Sequence, residues 1–203
     1  MADLAESEIG RGRHLQMVVG RYTRYMTPSE WSIQFVRGFV KDANDANRAW
    51  KHYLDWYRAR EENSRGSDRA WTTLMGEFLF RLSLSYEPGA IQMFEENRND
   101  FVWRDRASWR PVVHIEYENN SAPPETLRSE VVRLQEGRAE LSVLITFDAG
   151  IDTLRQRVKD AVREELRRLN FDHPFLLLIG GLLDDPEDWK AFEFLNRDWT
   201  QIN

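Results

Sequence analysis

The stretch VVHIEYENN carries Glu116 and Glu118 one residue apart, and Asp100 opens an earlier apolar run, DFVWR. Two like charges about 4 Å apart repel by roughly 4 kcal/mol at an effective dielectric of 20. A few such pairs would consume a domain's stability margin of about 5–15 kcal/mol. Three ways out exist: a carboxylate takes up a proton, the groups splay into water, or a cation sits among them. Hard cations take oxygen ligands, commonly one or two carboxylates plus a substrate phosphate. Asp100, Glu116 and Glu118 are therefore candidate ligands of Mg2+ or Mn2+.

For three carboxylates to meet, the strands carrying them must agree in register. Side chains alternate across a strand. In PVVHIEYE, Val113, Ile115 and Tyr117 share one face, and His114, Glu116 and Glu118 share the other. In DFVWR, Phe101 and Trp103 share one face, and Asp100 and Val102 the other. Paired as an antiparallel hairpin with the aromatic faces buried together, the runs bring Asp100 to the side of Glu116 and Glu118. A one-residue slip would send the whole apolar set into water. The competing reading is that Glu116 and Glu118 line the wet face of an antiparallel sheet, where such alternation is ordinary.

The rest of the chain supplies a scaffold. In residues 1–66 a capping box, TPSE at Thr27–Glu30, precedes Trp31, Phe35 and Phe39 at four-residue spacing, and a second helix is predicted over about 44–60. These read as a helical N-terminal part. From Ser67 onward, Trp71, Leu74, Met75, Phe78, Leu79 and Leu82 mark an amphipathic helix. Three strands follow, AIQMFEE, DFVWR and PVVHIEYE. Then come a helix in SAPPETLRSEVVRLQEGR, the strand AELSVLITF, the helix IDTLRQRVKDAVREELRRL, the strand PFLLLIGG and a last strand WKAFEFL. This order predicts an α/β (α+β) unit over 67–203, a mixed β-sheet flanked by helices.

With 203 residues, 41% hydrophobic and 12% aromatic, the chain can build a core. It contains no cysteine, which excludes disulfides, thiolate metal sites and cysteine nucleophiles and fits a cytoplasmic setting. The acidic start, MADLAESEIG, lacks the apolar run of a secretory signal. The apolar stretch PFLLLIGGLL is too short to cross a bilayer, so no membrane partner is expected. A net charge of −6 argues mildly against a nucleic-acid partner, but clustered arginines, including Arg11, Arg13, Arg21 and Arg24, can still form a basic face.

The run NDFVWRDRASWRPVVHIEYENN followed by ETLRSEVVRLQEGRAELSVLITF resembles the PD-(D/E)XK, or restriction endonuclease-like, nuclease superfamily. The likeness covers about residues 67–147. In that family an Asp opens one strand and a Glu-x-Lys sits on the next. Asp100 matches the Asp, Glu116 the Glu and Glu118 the Lys position, while Glu77 on the preceding helix matches an acidic residue that often joins the site. Two departures stand out: Asn99 replaces the family's Pro, and Glu118 replaces the Lys. The resemblance implies Mg2+- or Mn2+-dependent phosphodiester hydrolysis. DNA is the expected partner, with RNA and a homodimer left open. The alternative is an inactive nuclease-fold protein acting as an interaction or regulatory module. Asp100 and Glu116 would hold the metal. Glu118 could orient water or ligate a second metal.

Each neighbour has a plainer reading beside the chemical one. His114 could act as a general base or touch phosphate, or be a cross-strand polar neighbour. Glu77 could join the site, or simply pair with Arg81 on a helix surface. Glu130, Arg133 and Gln135 could reach the metal shell or DNA, although a solvated helix face is the ordinary expectation. Asn119 could bond a carboxylate or shape a turn. Gly180-Gly181 reads as a turn, because phosphate-loop spacing is absent. Removing Asp100 or Glu116 is expected to abolish activity and leave the metal-free fold intact or more stable.

Overall fold

The structure, a computed structural model, describes residues 32–39, 66–84, 90–96, 99–118, 124–148, 151–180 and 189–202. The capping box, the helix expected over 44–60, and Arg11, Arg13, Arg21 and Arg24 lie outside these residues, as do Asn119 and Gly181. The described elements are α1 (residues 32–39), α2 (Gly66–Leu84), β1 (Ala90–Glu96), β2 (Asn99–Asp105), β3 (Pro111–Tyr117), α3 (Pro124–Gly137), β4 (Leu141–Phe147), α4 (Asp152–Arg168), β5 (Phe175–Gly180), β6 (Lys190–Leu195) and β7 (Asp198–Ile202).

All seven strands form one mixed sheet in the order β1-β2-β3-β4-β5-β6-β7. The pairs from β1 to β3 and from β5 to β7 are antiparallel, and β3, β4 and β5 are mutually parallel. Parallel neighbours need a crossover, and α3 and α4 provide the two. Both crossovers step the same way across the sheet, so a common handedness puts both helices on the same face.

The two faces of the sheet carry separate cores. On one, Phe101, Trp103, Val113, Ile115, Tyr117, Val143 and Ile145 pack with Phe35, Val36 and Phe39 of α1 and with Met75, Phe78, Leu79 and Leu82 of α2. On the other, Leu144, Leu177 and Ile179 meet Leu127, Val131 and Leu134 of α3 and Val158, Val162 and Leu166 of α4. The strands β4 and β5 are buried along their whole length, as strands covered on both faces must be. Each large side chain withdrawn from water contributes about 1.5–3 kcal/mol. Trp103 also keeps its polar edge satisfied: its Nε1–H donates to Gln92 Oε1 at 2.9 Å, and Gln92 Nε2 donates to the Gly76 carbonyl at 2.9 Å.

Two sequence expectations need correction. WKAFEFL is not the last strand: β7 follows it, with Leu195 facing Asp198 across a two-residue turn. That turn holds Asn196 at φ 51° and Arg197 at φ 67°. A two-residue type I′ hairpin needs positive φ at both central positions, usually signalled by Asn-Gly, and arginine in the second place hides the signal. Gly180 is the final residue of β5, and a Cβ there would meet the Trp189 ring at 2.8 Å. Close packing of the indole accounts for this glycine. Among the described residues no helix is long and apolar enough to cross a membrane.

Candidate active site

Strands β2 and β3 pair with Phe101 opposite Ile115, Val102 opposite His114 and Trp103 opposite Val113. Alternation from these pairs places Asp100, Val102, His114 and Glu116 on one face and the aromatic residues on the other. The hairpin is held at its far end by Asp105, whose Oδ1 accepts from the N–H groups of Ala107 and Ser108 and from the Ser108 hydroxyl at 3.0, 2.6 and 2.7 Å. These bonds keep the Asp105 carboxyl below its ordinary pKa. At the near end, Asp100 Oδ2 accepts from the backbone N–H of Tyr117 at 2.8 Å.

The face carrying Glu116 is dry. Because β3 is an interior strand and α3 crosses over it, Glu116 is only 1% exposed, and the wet-face reading of this residue fails. Its Oε1 has no hydrogen-bond donor among the described residues. Burial, then the neighbouring Asp100, then Glu130 push the Glu116 carboxyl up to about 10. Two ionised carboxylates cannot donate to each other, but a proton on Glu116 lets it bond to Glu130. Asp100 is also raised, chiefly by burial; the Tyr117 N–H opposes that shift, and Glu130 and Glu118 add to it.

The fourth carboxylate, Glu130, comes from α3. It is 6% exposed and anchors Arg133, whose Nη1 donates to Glu130 Oε2 at 2.6 Å. The same Nη1 lies 3.8 Å from Glu116 Oε2, an ion pair too long for a hydrogen bond. A solvated helix face is therefore the wrong account of Glu130. The sequence did carry a signal: Glu130 follows Leu127 by three positions and precedes Leu134 by four, inside the buried stripe of α3. Gln135, also on α3, is half-buried.

The remaining candidates differ in their surroundings. Glu118 is half-buried beyond the end of β3, where its N–H donates to the Ile145 carbonyl at 2.9 Å, and its charge acts on Asp100. Glu77 is exposed on α2, whose apolar residues join the core on the opposite face of the sheet. His114 is buried against the end of α3, so close that a Cβ on Gly137 would fall 1.8 Å from its Nδ1. Helix packing is the part this histidine visibly plays.

A second polar chain lies where β4 and β5 begin. The Ser142 hydroxyl is 2.9 Å from His173 Nε2, and Asp172 Oδ1 is 3.3 Å from His173 Nδ1. The order resembles that of a nucleophilic triad, but Ser142 is fully buried and no substrate carbonyl could reach it.

No protein-family model matches the chain, and no curated protein matches its sequence. The site's meaning therefore rests on its chemistry. Among the described residues, no three acidic or imidazole groups stand as a ready ligand set for a metal ion. Asp100 and Glu116 do form a desolvated pair, with Glu130 beside them and Glu118 at the edge.

Proposed function

We infer that this chain is a metal-dependent nuclease that hydrolyses phosphodiester bonds in DNA, on a restriction endonuclease-like fold. The observation carrying this reading is the pair of half-buried Asp100 and buried Glu116, in which Glu116 Oε1 lacks a donor among the described residues. A desolvated carboxylate oxygen without a donor either keeps a proton or takes a cation. An all-oxygen donor set suits Mg2+ or Mn2+. Asp100 and Glu116 would hold the ion, with Glu118 at the solvent edge. A bound cation of this kind lowers the pKa of a water and offsets charge developing on the phosphate.

The protein's own groups prepare the site. The Tyr117 N–H fixes the Asp100 carboxylate and favours its ionised form. The cover of α3 keeps water from Glu116. Glu118 can accept a proton from, and so orient, an attacking water. A cytoplasmic setting and a homodimer belong to the same reading.

A second reading, an inactive nuclease-fold protein used for interaction or regulation, is favoured by one observation. Arg133 already offsets charge on Glu130 and stands 3.8 Å from Glu116, so the group can persist without metal. Calorimetric titration of Mn2+ and Mg2+ into wild type and Glu116→Ala, beside cleavage assays on linear and supercoiled DNA, separates the two. Metal binding and cleavage that both vanish in Glu116→Ala support the nuclease. A wild type that binds no metal and cuts no DNA overturns it.

A further inference from the structure

A phosphodiester is an anion, and its site needs a positive group facing it. On the strand, Glu118 fills the position where the resemblance calls for a Lys, and an anion cannot bind a phosphate oxygen. Among the described residues, Arg133 is the only cation in ion-pair range of Glu116. Its Nη1 is tied to the buried carboxylate of Glu130 at 2.6 Å, while its side chain remains 41% exposed. Among the described residues, its hydrogen bonding runs through Nη1. One nitrogen is thus anchored, while the side chain stays open enough to solvent for a ligand to reach it. A planar guanidinium is built to take two phosphate oxygens at once.

We propose that Arg133 is the phosphate-binding cation of this site, held by Glu130 and supplying from α3 the positive charge that Glu118 cannot supply from the strand. The inference rests on the nuclease reading above. In the hydrolysis it serves, a water oxygen bonds to phosphorus and the P–O bond to the leaving alcohol breaks. One proton from the water passes to the leaving oxygen, directly or through solvent. Arg133 gains and loses no proton; it binds the non-bridging oxygens, and that contact strengthens as negative charge builds on them. Glu130 is a positioning residue, because it acts through Arg133.

The test compares full-length wild type, Arg133→Ala and Arg133→Lys. Three measurements are made: kcat and KM on linear double-stranded DNA with Mn2+, Mn2+ affinity by calorimetry without DNA, and the salt dependence of DNA binding in EDTA. Arg133→Ala should lose about 100-fold or more in kcat. The slope of its log affinity against log salt should fall by about one unit. Its Mn2+ affinity should equal or exceed that of wild type, since a competing cation is gone. Arg133→Lys should recover the salt slope and part of the rate. An Arg133→Ala protein with unchanged kcat and salt slope overturns the proposal and leaves the nuclease reading standing. Loss of both Mn2+ binding and melting temperature in Arg133→Ala and Arg133→Lys alike makes Arg133 a structural counter-ion and also overturns it. A wild type that neither cleaves nor binds DNA removes the nuclease reading and the proposal together.

Discussion

Asp100 and Tyr117 are joined across β2 and β3 by a 2.8 Å hydrogen bond from backbone N–H to carboxylate. The bond lies just beyond the last paired residues of the two strands, Phe101 and Ile115, next to Glu116. The bond alters what removal of each carboxylate should do. Deleting Asp100 takes the acceptor from that backbone donor, so its loss does more than relieve charge repulsion.

Asp100→Ala should therefore lower stability in EDTA by about 1–3 kcal/mol, the cost of a buried donor left without an acceptor. Asp100→Asn keeps an acceptor and should lose much less. Both should abolish metal-dependent cleavage. Urea melts and a cleavage assay on the same samples check this, and an Asp100→Ala protein as stable as Asp100→Asn would show that the bond contributes nothing.

Stability of the metal-free protein should fall as pH rises from about 4.5 toward about 10. The folded state keeps the Glu116 proton up to about 10, whereas the unfolded chain releases it near the ordinary 4.5. Between those values the folded state binds more protons, so the stabilising contribution is complete at low pH and drains away on the alkaline side. One such group gives a slope of at most about 1.4 kcal/mol per pH unit. The raised carboxyl of Asp100 acts with the same sign. Glu116→Gln should flatten the profile. Added Mn2+ should stabilise wild type more as pH rises, because protons must leave before carboxylates ligate. Melting temperatures across this range, with EDTA or Mn2+, provide the measurement.

Gly137→Ala should destabilise by roughly 1–3 kcal/mol, because the new methyl would collide with the His114 ring at 1.8 Å. The double variant with His114→Ala should be no worse than His114→Ala alone. A double-mutant cycle by denaturant melting reads the coupling. Additive losses would mean that the His114 ring is not the obstacle.

Asp148, fully buried after β4, accepts from Arg155 Nε at 2.5 Å. Arg155→Ala should cost about 1.5–3 kcal/mol, the worth of a hydrogen bond between charged groups, and Asp148→Asn with Arg155→Ala should recover part of the loss. Urea midpoints of the three variants decide it.

Much of this architecture could be read from local pattern. Period-two alternation in DFVWR and PVVHIEYE, with the demand that Phe101, Trp103, Val113, Ile115 and Tyr117 be buried, determined that Asp100 and Glu116 share a face, and all five are buried. The stripe of α2 was legible for the same reason: near neighbours in sequence are near neighbours on one element. The hairpin turn at Asn196-Arg197 was not, because its positive φ values belong to a residue pair that seldom adopts them.

What only the tertiary structure decided is the environment of the carboxylates. Desolvation is summed over everything packed around a group, and most of that comes from distant segments. The covering of β3 by α3 made Glu116 dry, drew Glu130 beneath the helix and set Arg133 3.8 Å from Glu116. The same packing left Glu77 exposed on a helix over the far face and pressed His114 against Gly137. Sequence determined which residues could carry charge and which way each strand would turn them. Only the meeting of β2, β3 and α3 decided which of those charges lie out of water, and therefore which must find a proton or a cation.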